Sequence, residues 1–237
     1  MSITQADAIV SVRARLDEPT SIYWTDTDIR RWINEIALDI ARRTESLRGS
    51  YLQPVVVGTS SYTPVFTATT QMYRIYRVEY IPTGQAQVYP LEFRDPNAAD
   101  EVWGLSQQIT EGIPVIWTSW GAPPTLTLQV YPSPARAGNL KLWYYRLPTQ
   151  LLIATTGNAA SLVDIVDGWE DILIDGVEYK AKRRDNDSSW QDAKREYEEH
   201  IAAMMEATLR FTDSFATITN QQGLGIPGWL YGDPDSF

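Results

Sequence analysis

The chain contains no cysteine, which excludes disulfide staples and thiolate metal sites. Its single histidine is His200, and no Gly-x-Ser-x-Gly stretch is present. A Ser/His/Asp triad therefore has neither a nucleophile on a strained turn nor a choice of base. No apolar run approaches the roughly 20 residues of a membrane span. The opening Met1-Ser2-Ile3-Thr4-Gln5-Ala6-Asp7 lacks the basic-then-apolar order of a signal peptide. A soluble protein made in the cytoplasm is expected. Bases are the minority, 20 against 30 acids, for a formal net charge of -10. That balance argues against gripping nucleic acid by its phosphates, which needs a basic patch. It suits a wall past which DNA slides, because like charge prevents sticking. Ordinary solubility charge is the plainer explanation.

What is present is apolar and aromatic. Hydrophobic residues make up 43% of 237, enough for a sizeable core in one large domain or two small ones. Nine Trp and thirteen Tyr suit cores and interfaces alike.

Along the chain the pattern changes twice. Residues 4–16 read as a helix capped by Thr4, with Asp7 three residues on. Thr25 caps a second helix, with Asp26 and Asp28 at its positive end. Its apolar stripe is Ile29, Trp32, Ile33, Ile36, Ala37 and Ile40, and Gly49 is expected to close this region. Residues 51–147 are rich in β-formers and turn signals, with strands expected at 52–57, 72–81, 88–93, 115–120, 125–131 and 140–146. Leu126, Leu128 and Val130 alternate with Thr125, Thr127 and Gln129; Leu140, Leu142 and Tyr144 alternate with Lys141, Trp143 and Tyr145. A short helix is expected within 96–107. Residues 148–162 read as a linker, and 163–212 as a helical pair joined at Asp185-Asn186-Asp187, with Ser188 and Gln191 forming a capping box. Trp190, Tyr197, Met204 and Phe211 recur every seven residues and form one stripe. From 213 to 237 four glycines and two prolines exclude regular structure around Ile226, Trp229, Leu230, Tyr231 and Phe237.

The expected class is therefore α+β. Helices at 1–50 and 163–212 make a four-helix-type bundle, packed through Trp32, Ile36, Trp169, Trp190, Tyr197 and Met204. Residues 51–147 form an inserted antiparallel sandwich or barrel, and 213–237 an extended docking tail.

Catalytic patterns are thin. Glu170/Asp171 and Glu198/Glu199 are adjacent on helices and point apart. Glu92 and Glu111 lie in the β-region with no spacing that forces them together. Asp185-Asn186-Asp187-Ser188 lacks the central Gly and closing Glu of a calcium loop, so Asx hydrogen bonds at a turn explain it better. No cofactor is expected. His200 reads as a solvated or rim side chain. Lys180, Lys182, Arg183 and Arg184 form the strongest basic cluster. Cations favour the last turns of a helix, and a contact with an acidic partner is the second reading.

Two stretches carry a family resemblance. One is Tyr23-Trp24-Thr25-Asp26-Thr27-Asp28-Ile29-Arg30-Arg31-Trp32-Ile33-Asn34-Glu35; the other runs from Gly168 to Arg184, through Asp185-Asn186-Asp187, into the Trp190/Tyr197 helix. In these the chain resembles the head–tail adaptor (connector, or head-completion) proteins of tailed bacteriophages. The resemblance implies a non-enzymatic virion protein, assembled in the host cytoplasm. It implies a ring of about twelve copies under the portal, with the tail segment reaching the portal. The opposite face would receive the next tail component (nozzle, stopper or tail tube), and the lumen would pass the genome without specific binding. No membrane is involved. Asp164, Asp167, Asp171 and Asp175 become candidates for the lumen wall. The alternative is a carbohydrate-binding β-sandwich of a tail or secreted protein, with Trp103, Trp117, Trp120 and Trp143 as the stacking platform.

Overall fold

A computed structural model describes residues 3–66, 71–97, 111–121, 125–150 and 161–221, with side chains through 208. Helices α1 (Gln5–Arg15) and α2 (Asp26–Thr44) begin where the caps place them. The Thr4 and Thr25 hydroxyl oxygens accept the Asp7 and Asp28 N–H at 3.1 and 3.2 Å. Each hydroxyl donates back to that aspartate's carboxylate at 2.6 Å. Helix α2 closes earlier than expected: Glu45 adopts the left-handed conformation at φ 50°. Gly49 lies instead in a strand, where a Cβ would sit 2.9 Å from the Tyr144 ring.

Among the described residues nine strands follow: β1 (Arg48–Val55), β2 (Ser61–Tyr62), β3 (Met72–Pro82), β4 (Tyr89–Phe93), β5 (Glu111–Gly112), β6 (Ile116–Trp120), β7 (Thr127–Tyr131), β8 (Ser133–Pro134) and β9 (Gly138–Arg146). The six expected strands are among them; β2, β5 and β8 are two residues long and leave no alternation to read. The sheet corrects the expected antiparallel sandwich or barrel. Seven strands form one curled mixed sheet in the order β1-β9-β3-β4-β6-β7-β2, and β5 pairs with β8 separately. The mixing comes from β4 and β6, which run parallel. Parallel neighbours need a crossover, which turn residues alone do not reveal. Val78, Tyr80, Leu128, Val130, Leu140 and Leu142 line the core face. The alternation read in β9 holds. In β7, Gln129 and Tyr131 are buried along with Leu128 and Val130, so this strand is covered on both faces.

The chain then returns as helices α3 (Glu170–Arg184) and α4 (Trp190–Gln221). Asn186 takes φ 58° in the turn between them, and the Asp187 carboxylate accepts the Ser189 N–H at 2.8 Å. The Asx bond is as expected, but Asp187 supplies it rather than a Ser188/Gln191 box. The α4 backbone stays helical past 212. Helices α1 to α4 all contribute to one core, through Ala8 and Val12, Ile33 and Ile36, Leu173 and Val177, and Ile201 and Met204. Gly176 lets the helices pack closely: a Cβ there would lie 2.6 Å from Ile36 and 2.9 Å from Tyr197.

Short polar ties fix the segment that leads into α3 to the N-terminus and to the end of β9. Val163 N–H donates to the Ile3 carbonyl at 2.9 Å, and Gln5 N–H to that of Ser161 at 2.8 Å. Arg146, at the end of β9, grips Asp164 with both Nη atoms, Nη2 at 2.8 Å. Of the expected linker and short helix, residues 151–160 and 98–107 lie outside the described residues.

Candidate functional site

The side chain of Phe211, the last of the seven-residue stripe, lies outside the described residues. Trp32, Ile36, Tyr197 and Met204 are buried, while Trp169 packs partly buried against the same core. Trp190 is half-buried, its ring 6.3 Å from that of Tyr179. The Tyr197 hydroxyl donates to Asp39 at 2.7 Å, and burial together with that carboxylate pushes its pKa up.

The basic cluster of α3 points into its own molecule. Lys180 pairs with Glu35 of α2, Lys182 with Glu178 at 2.7 Å, and Arg184 with Asp28 at 3.4 Å. The Arg184 guanidinium also lies 5.4 Å from the Trp24 ring centroid and 5.8 Å from that of Trp32. Arg183 reaches the Tyr179 hydroxyl at 2.9 Å. Lys180 and Arg184 thus tie α3 to α2, while Lys182 and Arg183 pair within α3 itself.

The four candidate lumen acids separate. Asp167 and Asp171 are exposed. Asp164 is held by Arg146 and by the Thr149 N–H at 2.8 Å. Burial raises its pKa, but those donors outweigh it and leave the carboxyl below the ordinary range. Asp175 is 2% exposed, which takes it off any channel wall. His200 stands at the rim as expected, but its Nδ1 lies 2.7 Å from Asp175. Arg15 of α1 approaches the other carboxylate oxygen at 3.2 Å. Asp175 is thus a node joining α1, α3 and α4.

A second buried carboxylate escaped the sequence reading. Glu18 is 6% exposed, and its Oε1 accepts the N–H groups of Ile22, Tyr23 and Trp24 at 2.6, 2.6 and 3.1 Å. Arg13 spans the same loop, donating to the Trp24 carbonyl at 2.9 Å and to Asp26 at 2.5 Å. The loop is held rigid with Ile22 and Tyr23 exposed.

The tryptophan platform does not assemble. Trp117 is 3% exposed on the core side of the sheet, against Phe93 at 4.8 Å. Trp143 lies on the opposite side, donating to Glu79 at 2.9 Å and covered by Lys141 at 4.1 Å. Trp120 is exposed, and Trp103 lies outside the described residues. A cleft of about 500 Å³ between β3 and β6 is lined by Tyr73, Tyr76, Phe93 and Trp117 among others, with no carboxylate among its described lining residues. Of the acids weighed as catalytic pairs, Glu92 meets Arg94 at 2.8 Å and Glu198 meets Arg43 at 2.5 Å. Among the described residues no group of His, Cys, Asp or Glu could hold a metal ion.

The outward face of β1-β9-β3 is different. Two bulges in β3 skip Tyr73 and Tyr76, so that Arg74 opposes Tyr145 and Arg77 opposes Trp143. On the other flank of β9, Arg48 opposes Tyr145 and Leu52 opposes Lys141. Arg48 and Arg74 lie 5.9 and 5.3 Å from the Tyr145 ring centroid, and Tyr76 packs on Tyr145 at 4.6 Å. Four cations (Arg48, Arg74, Arg77, Lys141) thus interleave with three aromatics in a protein that is acidic overall. The carboxylates beside them are Glu45 on Arg74 at 2.7 Å and Glu79 on Arg77 at 2.5 Å.

The expected docking residues Ile226, Trp229, Leu230, Tyr231 and Phe237 lie outside the described residues. A family model described as SU10 adaptor protein matches residues 3–222. No curated protein matches the chain.

Proposed function

The chain belongs to the SU10 adaptor protein family, and from that premise we propose that it is a structural head–tail adaptor of a tailed bacteriophage, forming a ring between the portal and the tail. The observation that carries this reading is the extent of the match, which takes in both helical ends and the whole sheet. Helices and sheet are then parts of one adaptor unit rather than a carrier with an unrelated module attached. The ion pairs between helices, and a cleft with no carboxylate among its described lining residues, fit a part whose work is mechanical. None of the described helices is long and apolar enough to cross a membrane.

In this reading about twelve copies close a collar, and the segment with Ile226, Trp229, Leu230, Tyr231 and Phe237 docks on the portal through its aromatic anchors. The opposite face receives the next tail component. DNA passes the lumen without specific binding, and Asp167 and Asp171 are the two candidate acids left exposed to repel it. The test is to mix purified protein with a portal ring and follow the product by native mass spectrometry and electron microscopy. A cyclic complex is expected, and deletion of residues 223–237 should abolish docking while leaving the circular dichroism spectrum unchanged. Failure to bind any portal or tail ring overturns the reading.

A further inference from the structure

We propose that the outward face of β1-β9-β3 is the seat for a second copy of this chain, and that what sits on it is the acidic outer stripe of that copy's α4. The inference rests on the adaptor reading and deepens it by assigning the contact between neighbours. The seat is built: two bulges throw Tyr73 and Tyr76 out of the β3 ladder and keep Arg74 and Arg77 on the outer side. Arg48, Arg74, Arg77 and Lys141 stand around Tyr76, Tyr145 and Trp143, and Leu52 is 54% exposed at the margin. None of the described helices packs extensively on this sheet. Aromatic rings flanked by arginine are the composition of an interface centre.

Charge complementarity selects the occupant. Asp192, Glu196, Glu199 and Glu206 follow helical spacing along one side of α4, and all are exposed, with the small Ala202 and Ala203 among them. The buried stripe of the same helix, Ala193, Tyr197, Ile201 and Met204, faces the other way. Asp192 to Glu206 spans about 21 Å at 1.5 Å per residue. The row from Tyr145 to Lys141 covers about 13 Å of strand, and three strands are about 10 Å wide, the diameter of a helix. A helix laid along β9 sets its carboxylates over the four cations and its alanines over the rings. Seat and stripe are different surfaces of one chain, so the contact is head-to-tail, the kind that closes into rings. The chain's own net charge of -10 disfavours DNA as the occupant.

The absence of cysteine gives a clean experiment on the full chain. Ser50→Cys reports from the seat and Ala203→Cys from the stripe; the two variants are mixed and treated with a short bismaleimide. A 50–203 cross-link, mapped by peptide mass, is expected in at least about fivefold excess over 50–50 and 203–203 products. Arg74→Glu with Arg77→Glu should cut it about tenfold or more, Glu196→Arg with Glu199→Arg likewise, and the two reversals mixed should restore it. Raising salt to about 0.5 M should weaken it, since exposed charges are screened. No 50–203 product, a product indifferent to both reversals, or no recovery in the mixed reversal overturns the proposal. So does a duplex DNA fragment that binds the protein through Arg74 and Arg77 while the cross-link persists. Portal binding is scored in parallel: its retention without the cross-link removes this contact alone, and its loss with the cross-link intact removes the adaptor reading alone.

Discussion

The helices and the sheet use their charges in opposite ways. In the helical part, cations turn inward: Arg15 reaches buried Asp175, Lys180 reaches Glu35, and Arg184 lies over Trp24 and Trp32 while meeting Asp28. Removing Arg15 leaves the buried Asp175 carboxylate in a low-dielectric site, where an unpaired charge is costly. In the sheet the core face is apolar, and Arg48, Arg74, Arg77 and Lys141 stand on the outside around Tyr145 and Trp143. One part uses charge to hold itself; the other holds itself by ladder and apolar packing and carries its cations on the surface.

The strongest blow to the helical side is loss of core volume where α3 meets its neighbours. Leu173 is fully buried, and Leu173→Ala should cost about 2–5 kcal/mol by denaturant unfolding. A loss within the range of an exposed site would mean that α3 is not central. Next comes Gly176→Ala. The new methyl would meet Ile36 and Tyr197 at 2.6 and 2.9 Å, and a cost of about 1–3 kcal/mol is expected from overpacking, against the gain in helix propensity that Ala brings elsewhere. A neutral or stabilising result would show that the helices have room to separate.

Much of the helical side was legible in the sequence, because its determinants are local. The Thr4 and Thr25 caps bind partners three residues away, and the spacing from Trp32 to Ile36, or Tyr197 to Met204, fixes which side is buried. The resemblance in residues 23–35, and from Gly168 into the Trp190/Tyr197 helix, pointed to the family that the match then showed. Orientation across the fold was not legible. Lys180, Lys182, Arg183 and Arg184 were visible as a cluster, but the partners Glu35 and Asp28 lie about 150 residues away in sequence. Asp175 read as one of several acids on a helix, and only the packing of α1 and α4 makes it internal. The sheet was legible as strands and illegible as topology. The bulges at Tyr73 and Tyr76 exist only relative to β9, and the parallel pairing of β4 with β6 depends on a crossover that turn chemistry does not specify.

A pH titration sharpens the contrast further. Burial raises the Asp175 carboxyl above its ordinary value, against the pull of the His200 hydrogen bond and the Arg15 charge. The folded protein therefore keeps this proton to a higher pH than the unfolded chain does, and between the two values Asp175 makes stability fall as pH rises. Glu18 and Asp164 act in the reverse sense. Burial raises each, but backbone N–H donors and a guanidinium bring both below the ordinary range. Their contribution is complete above that range and is lost as pH drops through their lowered values. Melting temperatures of wild type and Asp175→Asn measured from about pH 3 to 7 should therefore diverge. The variant gains relative to wild type as pH rises above the ordinary aspartate value, and a difference constant across the range would count against the buried node.

The smallest effect belongs to the sheet's outer face, and there smallness is the point. Arg74 is 59% exposed in its side chain, pairs with Glu45 at 2.7 Å and lies 5.3 Å from the Tyr145 ring centroid. An exposed ion pair is worth about 0–1 kcal/mol, and a cation over an exposed ring about 0.5–1. Losing both should still lower stability by only about 1 kcal/mol, because water re-solvates the carboxylate and Ala keeps the strand backbone. Arg74→Ala should thus unfold at nearly the wild-type denaturant midpoint. A loss of several kcal/mol would place Arg74 among the internal struts, like Arg15, and erase the distinction between the two regions. Near-neutral stability leaves the guanidinium free of any large folding role, as a side chain that meets another surface must be.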